Sequence, residues 1–127
     1  MFQYRNAFSS FSIDDVQQAK DFYSKSLGLK VTEVKGMPGL LEVEVAGTGK
    51  LMLYQKPNHV PATFTVLNFV VDNIEATVEE LTRRDIRFEQ YSGEINTDAK
   101  GIARGSGPKI AWFKDPSGNI LSVLQRD

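Results

Sequence analysis

Two hydrophobic periods alternate along this chain, and they recur in the same order in each half. From Arg5 to Ile13 the period is two. Ala7, Phe11 and Ile13 fall on one side of an extended segment, and Phe8, Ser10 and Ser12 on the other, which predicts a strand. The period then becomes helical through Val16, Ala19, Tyr23 and Leu27, with Phe22 beside them. Asp14-Asp15 supplies the N-cap, and Gln17 or Gln18 is positioned as its capping-box partner. Gly28 suits the residue after the helix, where the backbone turns left-handed. Leu29 to Val34, Leu40 to Val45 and Leu51 to Gln55 read as strands, separated by turns at Gly36-Met-Pro-Gly39 and Gly47-Thr-Gly49. The first half is therefore predicted as β-α-β-β-β.

The second half repeats that order. Thr63 to Val71 predicts a strand, Asp72-Asn73 a cap, and Ile74, Thr77, Val78 and Leu81 a helix. Ile86 to Tyr91 reads as a strand, and the polar, Gly-rich run from Ser92 to Gly107 as a long functional or mobile loop. Lys109 to Lys114 and Asn119 to Gln125 are strands around a turn at Asp115-Pro-Ser-Gly118. Phe11-Ser-Ile-Asp14-Asp15-Val16 matches Phe69-Val-Val-Asp72-Asn73-Ile74 at an offset of 58 residues. Past the helix the offset becomes 57, with Leu29 opposite Ile86 and Asp85 in the place of Gly28. A duplicated unit is the reading. Lys56 to Pro61 is rigid and turn-like. The expected organisation is one domain over residues 1–127: a module at about 1–56, a linker at 57–62 and a module at about 63–127.

Composition narrows the function. A length of 127 residues suffices for one domain with its own core. Fifteen Lys+Arg stand against 16 Asp+Glu, so charge gives no case for nucleic acid or an anionic membrane surface. Cys is absent, which excludes disulfides and thiolate metal sites. No apolar run approaches a bilayer-spanning length, and no basic stretch leads into an apolar one near Met1; a cytoplasmic protein is expected.

Phe11-x-Ile13-x-Asp15-Val16-x-x-Ala19-x-x-Phe22-Tyr23-x-x-x-Leu27-Gly28-Leu29, together with Trp112-Phe113-Lys114-Asp115-Pro116-x-Gly118-Asn119-x-Leu121, resembles the vicinal oxygen chelate superfamily. That superfamily includes glyoxalase I, bleomycin-resistance proteins and extradiol dioxygenases. The resemblance implies an α+β fold: two tandem βαβββ modules forming a curled mixed β-sheet around a cavity, with the helices outside. It also implies a homodimer, and in many members a divalent metal held by four inward side chains. Carried over by register, those four positions fall on Phe8, Val66, Ser122 and either Met52 or Tyr54. Phe and Val offer no lone pair, and a serine hydroxyl is a poor ligand for such metals. No metal and no other cofactor is expected.

Without a metal, the cup still suits a small organic ligand. Phe8, Ser10, Ser12, Tyr54, Asn68, Trp112 and Ser122 are the candidate ligand-binding residues, combining aromatic faces with a few hydroxyl and amide groups. Core packing is the competing reading for each, and an inward Asn68 needs a partner. Catalytic residues are not assigned. An enzyme of the lyase, isomerase or dioxygenase type would need a non-standard site, with acid–base chemistry from Glu94, Tyr91 or His59. His59, the single histidine, lies in the Pro-bounded linker with no evident partner and is expected to face solvent or an interface. A third class is a structural or regulatory protein with a filled cup. Gly47-Thr-Gly-Lys50 and Gly101-Ile-Ala-Arg-Gly105-Ser-Gly107 lack the strand and helix context of phosphate loops.

Overall fold

Each half of the chain builds its own four-stranded mixed sheet, and the two sheets share one strand order. A computed structural model of the chain describes residues 1–105 and 107–126, and the chain divides into two units, Met1–Val60 and Pro61–Asp127. In unit 1, β1 (Ser9–Ile13) leads into α1 (Val16–Asp21) and a π-helical turn (Phe22–Ser26). β2 (Lys30–Glu33), β3 (Leu40–Val45) and β4 (Gly49–Gln55) follow, and the sheet order is β1-β4-β3-β2. In unit 2, β5 (Thr65–Val70) leads into α2 (Ile74–Arg83), then β6 (Ile102–Ala103), β7 (Lys109–Lys114) and β8 (Ile120–Gln125), in the order β5-β8-β7-β6. The first strand of each unit pairs parallel to the last, and the remaining pairs are antiparallel. Neither sheet closes on itself. The fold is α+β.

The helices start as the sequence implies. Asp15 is the N-cap of α1 and accepts from the backbone N–H of Gln18 at 2.9 Å; Asn73 caps α2 and accepts from Ala76 N–H at 3.0 Å. A second device is shared. The first helical N–H of α1, at Val16, donates to Gln55 Oε1 at 2.8 Å, and that of α2, at Ile74, donates to Gln125 Oε1 at 2.9 Å. Each unit thus ties its helix N-terminus to the end of its last strand, satisfying a donor the helix leaves orphaned. Gln17, one of the two expected capping-box partners, donates to Asp21 Oδ1 at 3.1 Å instead of reaching back.

Alternation decides the buried faces. In unit 1, Phe11, Ile13, Leu41, Val43, Leu51 and Leu53 face the helix, where Tyr23 is fully buried with its ring 6.5 Å from that of Phe11. In unit 2, Ala111, Phe113, Leu121 and Val123 pack beneath α2 with Ile74 and Val78, and the Phe113 ring meets that of Phe88 edge-on at 5.5 Å. Such rows of buried aliphatic and aromatic side chains supply the main stabilising term of each unit.

Several expectations need correction. β1 starts at Ser9, so Arg5 to Phe8 precedes the strand. Ile86 to Tyr91 is not a strand, although Ile86 and Phe88 are buried as alternation implies. It makes a single-residue bridge from Phe88 to Phe113, with Glu89 N–H donating to Trp112 C=O at 2.8 Å. Ser92 to Gly107 is not one loop either: Ile102–Ala103 forms β6 opposite Ala111 and Ile110, and Thr97 bridges Ala103. Ser106, in the same Gly-rich run, lies outside the described residues. The edge of this sheet is therefore interrupted. The chain lies along β7 at Phe88, leaves at Gln90, and returns at Ile102 to complete the edge.

Candidate functional site

The excursion over residues 91–101 shapes the open surface of unit 2. Tyr91 N–H donates to Thr97 Oγ1 at 2.8 Å, and Thr97 N–H donates to Tyr91 C=O at 3.0 Å, which closes the base of the excursion. Asp98 Oδ1 accepts from the N–H groups of Lys100 and Ile102 at 2.9 and 3.0 Å. Arg104 then joins Asp98 at 3.1 Å to Glu75 of α2 at 2.6 Å. Burial alone would raise the Asp98 carboxyl pKa. The hydrogen bonds from Ile102, Arg104 and Lys100 outweigh it and hold the group below its ordinary value.

Beside this excursion lies a groove of about 560 Å³, walled by Phe64, Tyr91, Ile95, Trp112 and Ile120, with Thr63, Thr65, Ser92 and Glu94 supplying polar atoms. A smaller groove of about 380 Å³ adjoins it and shares Glu94, Ile95 and Trp112. Trp112 is half-buried, and the Tyr91 ring meets it edge-on at 5.5 Å. Burial, and secondarily the Glu89 carboxylate, raises the Tyr91 hydroxyl above its usual pKa, so the phenol stays neutral well into the alkaline range.

The predicted residues divide between the units. In unit 2, Asn68, Ser122 and Trp112 form one rung across β5, β8 and β7 on the face opposite Phe113. Ser122 is fully buried and its hydroxyl donates to Asn68 Oδ1 at 2.5 Å. The partner that an inward Asn68 requires is thus Ser122, and Trp112 lines both of these grooves. In unit 1, Ser10 and Ser12 stand opposite Met52 and Tyr54 on the face away from Tyr23. Phe8, just before the strand, is 65% exposed and Tyr54 40%. The pairing of Ser10 with Met52 matches that of Asn68 with Ser122, so Met52, not Tyr54, is the counterpart of Ser122.

One contact contradicts the sequence expectation. His59 is not partnerless: its Nδ1 lies 2.7 Å from Ser12 Oγ. The 47-residue separation of the pair hides it from local pattern reading. Among the described residues, no three His, Cys, Asp or Glu side chains cluster so as to hold a metal ion. Nor, among those residues, is any helix long and apolar enough to cross a membrane.

Comparison with known proteins now identifies the family. The model of the glyoxalase/bleomycin resistance protein/dioxygenase superfamily matches residues 9–123. The chain belongs to this superfamily. No protein of curated function matches it. Among solved superfamily-like structures, TnmS3, an antibiotic binding protein from Streptomyces sp. CB03234, is similar at 21% identity and a TM-score of 0.70, over 99% of this chain and 100% of that one. A glyoxalase/bleomycin resistance protein from the same organism is similar at 23% identity and a TM-score of 0.65, covering 95% and 100%. An integron cassette protein from V. cholerae is similar at 21% identity and a TM-score of 0.65, covering 100% and 98%. At these identities the likeness shows a shared fold.

Proposed function

We propose that this superfamily member is a metal-free binding protein that sequesters a small, planar, largely apolar organic molecule. The observation carrying the reading is the groove at Trp112. Two ring systems, Trp112 and Tyr91, set edge-on beside Phe64 and Ile95 offer a stacking surface, with Thr and Ser hydroxyls and the Glu94 carboxylate to orient a ligand. The superfamily's metal does not fit the donors present. Phe8, Val66 and Met52 bring no imidazole or carboxylate, and the Ser122 hydroxyl is buried against Asn68. The fold likeness to an antibiotic binding protein agrees with this reading. Within unit 1 taken by itself, Phe8, Ser10, Ser12 and Tyr54 are proposed as a separate set of ligand contacts. The protein is proposed to work in the cytoplasm as a homodimer; support for the dimer comes from the exposed rings of Phe2, Tyr4 and Phe8, of which the first two stack at 5.4 Å. Light scattering checks the dimer.

Trp112 is the single tryptophan, so its emission reports on the groove without labelling. Titration with 2-naphthol should change that emission saturably, and Tyr91→Ala should weaken the response about tenfold, the scale of one lost aromatic contact. A linear, unsaturable response in the native protein would remove the proposal.

The Ser12–His59 pair favours a second reading, an enzyme using acid–base chemistry. With the ring proton on Nε2, Nδ1 accepts the Ser12 hydroxyl and makes its oxygen more nucleophilic. A fluorophosphonate should then label Ser12, and His59→Ala should abolish labelling. Unlabelled native protein would mark the pair as a structural hydrogen bond.

A further inference from the structure

On the α2 side of the unit 2 sheet a third groove, of about 600 Å³, runs between the helix and residues 98–101. Its volume is in the range of small-molecule sites. The floor is apolar, with Val78, Ile86 and Phe88. The far wall is fastened at three points. Gln90 Nε2 donates to Ala99 C=O at 3.0 Å, Lys100 Nζ donates to Glu79 Oε1 of α2 at 2.9 Å, and Gly101 packs so closely that a Cβ there would sit 2.8 Å from the Phe88 Cβ.

Charge selects the occupant. Arg83, Arg87 and Lys100 line the groove against two carboxylates, Glu79 and Asp85. Glu79 is already engaged: the Lys100 hydrogen bond and charge, with a smaller contribution from Arg83, hold its carboxyl below the ordinary value. Arg84, the neighbouring cation, pairs with Glu80 at 3.6 Å. Among the described residues, neither Arg83 nor Arg87 closes an ion pair. The groove therefore combines an apolar floor with two guanidinium groups at its rim and one positive charge in excess.

We propose that this groove is a second binding site, independent of the Trp112 groove, and that it takes an amphipathic carboxylate. The carboxylate engages Arg83 and Arg87, and the aliphatic chain lies over Val78, Ile86 and Phe88. A single negative charge matches the excess, and guanidinium groups hold carboxylates by paired, charge-assisted hydrogen bonds. The Lys100–Glu79 bridge joins the two walls beside the ligand and sets the width of the groove.

Octanoate tests this directly. In an amide NMR titration of the full chain, octanoate at millimolar concentration should shift signals of residues 78–88 and 98–101, with saturation. The double variant Arg83→Gln/Arg87→Gln should bind about tenfold more weakly, as expected for a lost charge-assisted contact. Both positions are exposed, so the variant keeps its fold, and its unshifted remaining spectrum verifies that. Octanol, which has the chain without the charge, should bind more weakly than octanoate. Equal binding of octanol, unchanged binding by the double variant, shifts centred on Tyr91 and Trp112, or no saturable shift would each overturn the proposal.

Discussion

Units 1 and 2 solve the same folding problem with the same fastenings and then diverge at two points. Each caps its helix with an Asp or Asn side chain, and each ties the helix N-terminus to a Gln at the end of its last strand. The first divergence is the helix exit. In unit 1, Leu27 N–H reaches back to Phe22 C=O and Leu29 N–H to Tyr23 C=O, through a π turn and Gly28 at φ 73°. In unit 2, Ile86 N–H reaches Leu81 C=O through a shorter exit, and Asp85 takes φ 66°. Tyr23 and Leu81 are matching buried residues, and Leu29 stands in the place of the buried Ile86, so unit 1 holds one more residue between them. The π turn absorbs that residue, and this accounts for the change of offset from 58 to 57. The second divergence is the edge strand: β2 is continuous, whereas its counterpart is split around residues 91–101. All three grooves described here contain residues of that excursion. The common fastenings hold the scaffold, and the departure from them creates the surface available for binding.

The sharpest way to break this contrast is at Gly101. Its φ is +92°, and an added Cβ would meet Phe88 Cβ at 2.8 Å and Glu89 O at 3.2 Å. Gly101→Ala should cost about 2–4 kcal/mol in chemical denaturation and perturb the grooves. Gly39 in unit 1, at φ +84° with only Gln55 Cβ nearby at 3.3 Å, should cost about 1–2 kcal/mol on the same change. Equal costs would mean that the excursion is no more tightly packed than an ordinary turn.

The helix exits give a smaller and opposite-signed pair. Gly28→Ala should destabilise by about 1–2 kcal/mol, because Cβ is disfavoured at φ 73°. Asp85→Gly should be neutral to stabilising by about 0.5–1 kcal/mol, since glycine relieves the same conformation. A loss of stability in Asp85→Gly would show that the aspartate side chain does more there than fill a turn. Smaller again are the strand-to-helix ties. Gln125→Ala should cost about 1 kcal/mol and Gln55→Ala about half that, because the first tie is part-buried and the second exposed to competing water.

Local signals were readable and tertiary ones were not. Asp15 and Asn73 are recognisable as caps because their side chains act within three residues, and Leu40 to Val45 because its alternation and flanking glycines agree. Trp112 could be assigned to the face opposite Phe113 by strand parity alone. The split edge could not be foreseen. Ile86 and Phe88 alternate as strand residues should, but whether a ladder forms depends on what lies against β7, and β6 takes most of that place. The π turn was visible only as a numerical slip. Ser12 and His59 meet because β1 and the segment after β4 run side by side, a pairing with no local signature.

Acid separates the units by another route. Asp98 anchors the excursion, accepting from Lys100 and Ile102 N–H and from Arg104. Its carboxyl lies below the ordinary value of 3.8 in the folded protein. The sign follows from linkage: the contribution is complete above about 3.8 and is lost as pH falls through the lower folded value. The amide signals of Lys100 and Ile102 should therefore hold their positions down to that region and move only below it. The β2–β3 hairpin of unit 1 relies instead on backbone pairing and on exposed ion pairs such as Lys30–Glu44, which add little to its stability. Asp98→Ala should remove the low-pH transition of Lys100 and Ile102 and loosen the excursion at neutral pH. Retention of the native amide positions in Asp98→Ala would mean that the backbone, through the Asp98 N–H bond to Ile102 C=O at 2.9 Å, fixes the excursion without the carboxylate.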